Sequence, residues 1–151
     1  MKSVQKILTE HGLPFEVKEF SEKQTLGELS KTLGCATGQI VKSMIFKTKF
    51  TGIPILMILS GANYINEKEM RKRFCEKLVL ADEEFILTLT GFSIEAIPPF
   101  AHLSQIDQVY IDKDLQQWDT LWISAGVVNT YLHIPTKHLI KLSKGKVISI
   151  T

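Results

Sequence analysis

The amino-acid sequence predicts an α+β fold, with a mixed, partly barrel-like β-sheet and flanking helices, on three observations. Two apolar runs, 40–46 and 53–59, flank the turn-forming stretch 49–52, the pattern of a hairpin at the centre of a sheet. Polar caps at Ser3, Thr25, Asn66, Asp82 and Thr136 each open a stretch of helical apolar spacing, with short strand-like runs between them. No internal repeat, linker or low-complexity segment divides the 151 residues, so one domain over 1–151 is expected.

The elements follow in order. Ser3 caps a short helix with Val4, Ile7 and Leu8 inward and Gly12 as its stop, and 13–20 is extended. Thr25-Leu26-Gly27-Glu28 has the capping-box form, and Leu26, Leu29 and Leu33 then face one side of a helix that ends at Gly34. The run 53–59 is apolar on both faces and reads as a central buried strand, with Pro54 confined to its start. Asn66 with Glu69 starts a helix through Phe74, 78–81 reads as a brief strand, and Asp82 caps a helix that closes at Gly91. Residues 91–104 form a loop too apolar to be a mere connector, and loops of that kind commonly line a site. Strands are expected at 109–111, 121–123 and 131–134, then a helix capped by Thr136 through Leu142, then a last strand at Val147 and Ile148.

Composition narrows the class. With 44% hydrophobic and 23% charged residues, the chain has the make-up of a globular domain with its own core. A formal charge of +2 excludes a strongly basic nucleic-acid coat protein but leaves room for a local basic face. Cys35 and Cys75 form no Cys-x-x-Cys pair, which signals neither a disulfide framework nor a zinc site and suits a reducing cytoplasm. Met1-Lys2-Ser3-Val4-Gln5-Lys6 has no export-signal pattern, and 53–59 is too short to span a bilayer, so no membrane partner is expected. There is no Gly-x-Ser-x-Gly elbow, no P-loop and no dinucleotide fingerprint, and no metal or cofactor is expected.

One residue breaks the apolar pattern of the first hairpin strand. In Gln39-Ile40-Val41-Lys42-Ser43-Met44-Ile45-Phe46, alternation puts Ile40, Lys42, Met44 and Phe46 on one face and Val41, Ser43 and Ile45 on the other. A buried ammonium needs a partner or a cavity, so Lys42 either snorkels to an edge or lines a pocket. Lys68, Arg71, Lys72 and Arg73 crowd the outer face of one helix, either as a solvated face or as a contact for a phosphate backbone. The carboxyl-terminal lysines Lys137, Lys141, Lys144 and Lys146 are a rival patch. Of the four histidines, His102 stands out because it ends the apolar loop.

Three separated motifs, taken together, carry more. The lysine strand 39–46, the loop from Thr90-Gly91-Phe92 through Ile97-Pro98-Pro99-Phe100-Ala101-His102, and Trp122-Ile123-Ser124-Ala125-Gly126-Val127-Val128-Asn129-Thr130 resemble the YbaK/ProX family, free-standing relatives of the editing domain of bacterial prolyl-tRNA synthetases. The resemblance covers nearly the whole chain in order and implies metal-independent hydrolysis of a wrong amino acid, of the alanine, cysteine or serine type, from the 3′ end of a tRNA, with tRNA(Pro) as the expected body. It implies that Lys42 positions the terminal nucleotide and that the loop, through Gly91, Ile97, Pro98, Pro99 and Phe100, together with the backbone of Ala101, holds the ester and the attacking water. His102 falls among these substrate contacts, and Ser124 and Gly126 match the small-residue turn at the far wall. The expected partners are a mischarged tRNA and a synthetase such as prolyl-tRNA synthetase, not DNA.

Two residues depart from the family pattern: Glu95 and Ala101 stand where glycines are frequent. Ala101 still offers a backbone carbonyl and N–H. Glu95 either turns to solvent or narrows the pocket and selects small amino acids. The reading that competes with hydrolysis is a module of the same fold that binds aminoacyl-tRNA or a synthetase without catalysis, and a third is an unrelated small-molecule pocket.

Overall fold

Caps and turns fix where each element begins and ends. The computed structural model describes residues 3–151, so the Met1 and Lys2 part of the leader argument lies outside the described residues. In chain order the elements are α1 (Val4–Glu10), β1 (Glu16–Glu19), α2 (Leu26–Leu33), β2 (Val41–Thr48), β3 (Pro54–Ser60), α3 (Glu67–Phe74) and β4 (Leu78–Leu80). There follow α4 (Glu83–Thr90), β5 (Gln108–Asp112), β6 (Thr120–Ser124), β7 (Thr130–Pro135), α5 (Thr136–Ser143) and β8 (Lys146–Ile148). Single 3₁₀ turns lie at Thr37–Gln39, Ile94–Ala96 and Lys113–Gln117.

The expected caps form. Ser3, Asn66 and Asp82 side chains each accept the backbone N–H three residues on. At Thr25 the capping box closes in both directions, and the two bonds to Thr25 hold the Glu28 carboxyl below its usual pKa. The expected Thr136 cap is corrected. Pro135 takes the cap position with no side-chain bond, and the buried Thr136 hydroxyl instead donates to the Trp118 carbonyl. A hydroxyl buried against a neighbouring segment pairs with the nearest carbonyl there, and the Thr136 N–H likewise pairs with the Asp119 carbonyl at 2.8 Å.

The strands form two sheets. A five-stranded mixed sheet runs β4-β2-β3-β5-β8, with β2 antiparallel to β3 and β4, and β5 parallel to β3 and β8. An antiparallel sheet runs β1-β7-β6. A parallel bridge between Ile40 and Trp122 joins the two where β2 meets β6, so the partial closure arises from two sheets abutting and not from one continuous barrel.

As the central strand, β3 is covered on both faces. Leu56 and Ile58 face the main core with Val41 and Ile45 of β2, while Ile55, Met57 and Leu59 face a second cluster with Phe46. Each such side chain, fully removed from water, contributes about 1.5–3 kcal/mol. A third, smaller cluster gathers Leu29, Ile40 and Trp122. Among the described residues no helix is long and apolar enough to cross a membrane.

Candidate functional site

Lys42 pairs with Leu59 across the hairpin, on the strand face that carries Phe46 and Ile40. It therefore stands between the second and third apolar clusters, where its methylenes are covered and its ammonium enters a cleft of about 390 Å³. Lys42 Nζ lies over the ring of Tyr64, 4.3 Å from the centroid. Partial burial pushes the Lys42 pKa down, and the charge of Asp112 offsets part of that shift.

Asp112 is fully buried and lies at the end of β5. Its carboxylate accepts from the Ser60 N–H at 3.1 Å, the Asn63 side-chain amide at 2.8 Å and the Asp114 N–H at 3.0 Å. Asn63 also donates to Asp114 at 2.7 Å, so this network pins the turn that carries Tyr64. Gly61 completes the pin, because its N–H donates to the Ile40 carbonyl and a Cβ there would meet that oxygen at 2.5 Å.

The opposite wall is the loop after α4. Gly91 ends the helix in the left-handed region at φ 78°, and Leu103 and Ser104 N–H groups return to the Thr90 and Leu89 carbonyls, so both ends of the loop are tied. Inside it Ile97, Pro98, Pro99 and Phe100 are buried. The His102 Nε2–H donates to the Pro98 carbonyl at 2.7 Å, and burial lowers the His102 pKa against a smaller raising effect of that bond. The imidazole meets the Phe92 ring edge-on at 6.4 Å, and Phe92 lies directly beneath Gly126, which has φ 84°. Ala101 adopts φ 75°, a conformation that favours glycine, so it presents its backbone as a glycine would, at a strain of about 1–2 kcal/mol.

These residues divide into three groups. Lys42, Glu95, Ile97 and Ser124 share the Lys42 cleft, with Glu95 exposed on its rim. Pro99, Phe100, Ala101 and His102 line a second cleft of about 330 Å³ between the loop and the end of α5. Gly91, Pro98 and Gly126 line neither: Gly91 closes α4, the Pro98 carbonyl accepts from His102, and Gly126 lies against Phe92. The basic helix α3 adds nothing to the cleft: Lys68, Arg71, Lys72 and Arg73 are exposed, with Lys72 paired to Glu69 at 3.5 Å and Arg73 stacked over Tyr110.

Among the cleft residues that the sequence did not single out for the site, three bear hydroxyls: Tyr64, Ser43 and Tyr131. Burial raises the Tyr131 pKa, which keeps it a neutral donor. Tyr64 carried one signal, an aromatic residue in an otherwise polar turn; Tyr131 and Asp112 act through contacts between distant strands and carried none. A larger groove of about 520 Å³ runs past Trp118, Thr120 and Ile140, but of the candidate functional residues singled out in the sequence it gathers only Lys137 of the carboxyl-terminal patch. The Lys42 cleft is the better candidate because it joins a lysine of perturbed pKa, three hydroxyls besides Tyr64, and an apolar wall of Leu26, Leu29 and Ile40.

Residues 21–142 match the model of the aminoacyl-tRNA editing domain. An uncharacterized protein, YwhH, of Bacillus subtilis is 28% identical over 148 residues, covering 97% of this chain and 93% of its own. Proline–tRNA ligases of Limosilactobacillus fermentum and Staphylococcus aureus are 35% identical over 78 residues and 28% over 114, covering 46% and 75% of this chain. The matches span only 14% and 19% of those ligases. A crystal structure described as a candidate trans-editing enzyme for prolyl-tRNA synthetase superposes with a TM-score of 0.87 at 28% identity, covering 98% of this chain and 94% of that one.

Proposed function

Because this chain belongs to the aminoacyl-tRNA editing domain family, we propose that it is a trans-editing deacylase that removes a small misattached amino acid from tRNA. The observation that carries the reading is Lys42, an ammonium of lowered pKa that enters a cleft walled by the family's loop. An aminoacyl ester is already activated, so catalysis needs a placed water and oriented dipoles more than a strong nucleophile. In the reaction, water attacks the ester carbonyl, the carbon–oxygen bond to the ribose breaks, and the free amino acid and the tRNA 3′ hydroxyl leave. The Lys42 ammonium holds the terminal nucleotide, the Ser124 and Tyr131 hydroxyls donate toward the ester, and the part of the loop that lines the same cleft, Ile94, Glu95 and Ile97, orients the water through its backbone, while Ala101 faces the second cleft. The scheme uses no metal.

The ligase relatives support tRNA(Pro) as the body and prolyl-tRNA synthetase as a partner, in the cytoplasm. The modest cleft and the Glu95 rim favour alanine, serine or cysteine as the amino acid removed. The exposed cations of α3 suit sequence-independent contact with the tRNA backbone. The test is hydrolysis of alanyl-, seryl-, cysteinyl- and prolyl-tRNA by the parent and by Lys42→Ala. Release of one small amino acid, lost in the variant, supports the reading. Binding of these tRNAs with no release would make the protein a non-catalytic module of the same fold.

A further inference from the structure

Tyr64 spends an aromatic ring on solvent. It is 81% exposed, although the turn beneath it is fixed by the Asp112, Asn63 and Asp114 network and by Gly61. A large apolar ring held out on a rigid frame at a cleft mouth is a recognition surface more than a packing element. Its orientation is set as well, since the Lys42 ammonium lies over the ring. One face of the ring thus meets the cation and the exposure leaves the other face open.

We propose that Tyr64 is the stacking platform for the unpaired terminal base of the acceptor end, completing a sandwich of ammonium, phenol ring and nucleobase. The proposal rests on the deacylase reading of the same cleft and adds the residue that recognises the base. Stacking is tolerant of base identity because every base has a π-face, and it requires the base to be single-stranded. The cation behind the ring has a further role: the same lysine that neutralises backbone charge fixes the plane on which the base lies. The site therefore selects a frayed or single-stranded 3′ end over a paired one, whichever amino acid is attached.

The test uses an uncharged acceptor-stem hairpin RNA whose single-stranded 3′ end terminates in 2-aminopurine, a base whose fluorescence is quenched by stacking. Parent and Tyr64→Phe should bind and quench alike, because the ring is kept. Tyr64→Leu, at an exposed position that leaves the fold untouched, should bind about 5- to 150-fold more weakly and without quenching. No binding by the parent, binding without quenching, or equal affinity of parent and Tyr64→Leu would each overturn the platform. Hydrolysis of a mischarged hairpin separates the two readings. Equal kcat/KM in parent and Tyr64→Leu overturns the platform and leaves the deacylase standing. Tyr64-dependent binding with no hydrolysis of any mischarged end overturns the deacylase and leaves the platform standing.

Discussion

Gly126 is the position where a single methyl group should report most directly on the site, and the expected loss follows from two separate causes. The first is backbone: at φ 84° a residue with a Cβ lies in the left-handed region, which costs about 1–2 kcal/mol. The second is space, because a Cβ at 126 would sit 2.5 Å from Phe92 Cε1 and 2.9 Å from Cδ1, atoms of a ring that is itself buried. Overpacking of this kind costs about 1–3 kcal/mol. Gly126→Ala should therefore destabilise the protein by about 2–5 kcal/mol, which for a chain of this size lowers Tm by roughly 5–15 °C. The displaced Phe92 ring would press on His102 and so on the Pro98 carbonyl, and deacylation should fall more than the folded fraction does. Urea denaturation and initial rates on mischarged tRNA, measured on folded protein, read both effects. Phe92→Leu opens the space, so the double variant should recover about 1–2 kcal/mol relative to additivity while the backbone strain stays. A loss below about 0.5 kcal/mol for Gly126→Ala, the size of an ordinary surface change, or strict additivity with Phe92→Leu, would refute the argument.

Three further outcomes are expected. Lys42→Met should fold and lose deacylation by orders of magnitude, with a parent-like rate refuting the assignment. Burial lowers the Lys42 pKa on folding, so the unfolded chain holds that proton more tightly. The parent then gains stability as pH rises from the lowered value toward about 10.4, and the Met variant, followed by denaturation from pH 7 upward, should lack that gain. For His102 the same sign applies on the acid side. Its folded pKa is lowered by burial, so stability should fall as pH drops from about 6.5 toward the lowered value. His102→Gln should flatten that loss without abolishing it, because His138 is lowered too, by burial and by Lys137 and Lys141; an identical slope would sink the reading. Glu95→Gly should broaden the accepted amino acids, and identical relative rates on alanyl-, seryl-, cysteinyl- and prolyl-tRNA would remove Glu95 from substrate selection.

Much of the architecture was legible because its signals are local. The Thr25 and Glu28 capping box, the Asn66 and Asp82 caps, Pro54 at the head of β3 and the alternation around Lys42 each act within a few residues, and the structure follows them. What lay hidden depends on which distant segments meet. The division into two sheets rests on Ile40 meeting Trp122, and the loss of the Thr136 cap rests on the Trp118 carbonyl being nearer than the threonine's own helix. For the candidate site, Lys42, Glu95, Ile97 and Ser124 were named and share a cleft. Tyr64, Tyr131 and Asp112 went unnamed because a turn, a strand and a buried strand end reveal nothing of one another in sequence. Ala101 shows the subtler limit: its glycine-like backbone is imposed by the closed loop against the residue's own preference.

The two-faced burial of β2 gives the lysine a second role, as a register key. Val41 and Ile45 serve one core and Phe46 another, so hydrophobicity alone would accept the hairpin shifted by one residue, with the faces exchanged. In that shifted pairing Lys42 would turn toward the main core and away from the Tyr64 ring, at an added desolvation cost. The ammonium that burdens the native strand penalises the misaligned one far more. An apolar residue at 42 would thus stabilise the native fold slightly while narrowing its margin over the slipped hairpin, and the charge that serves the chemistry also tells β2 which way to face.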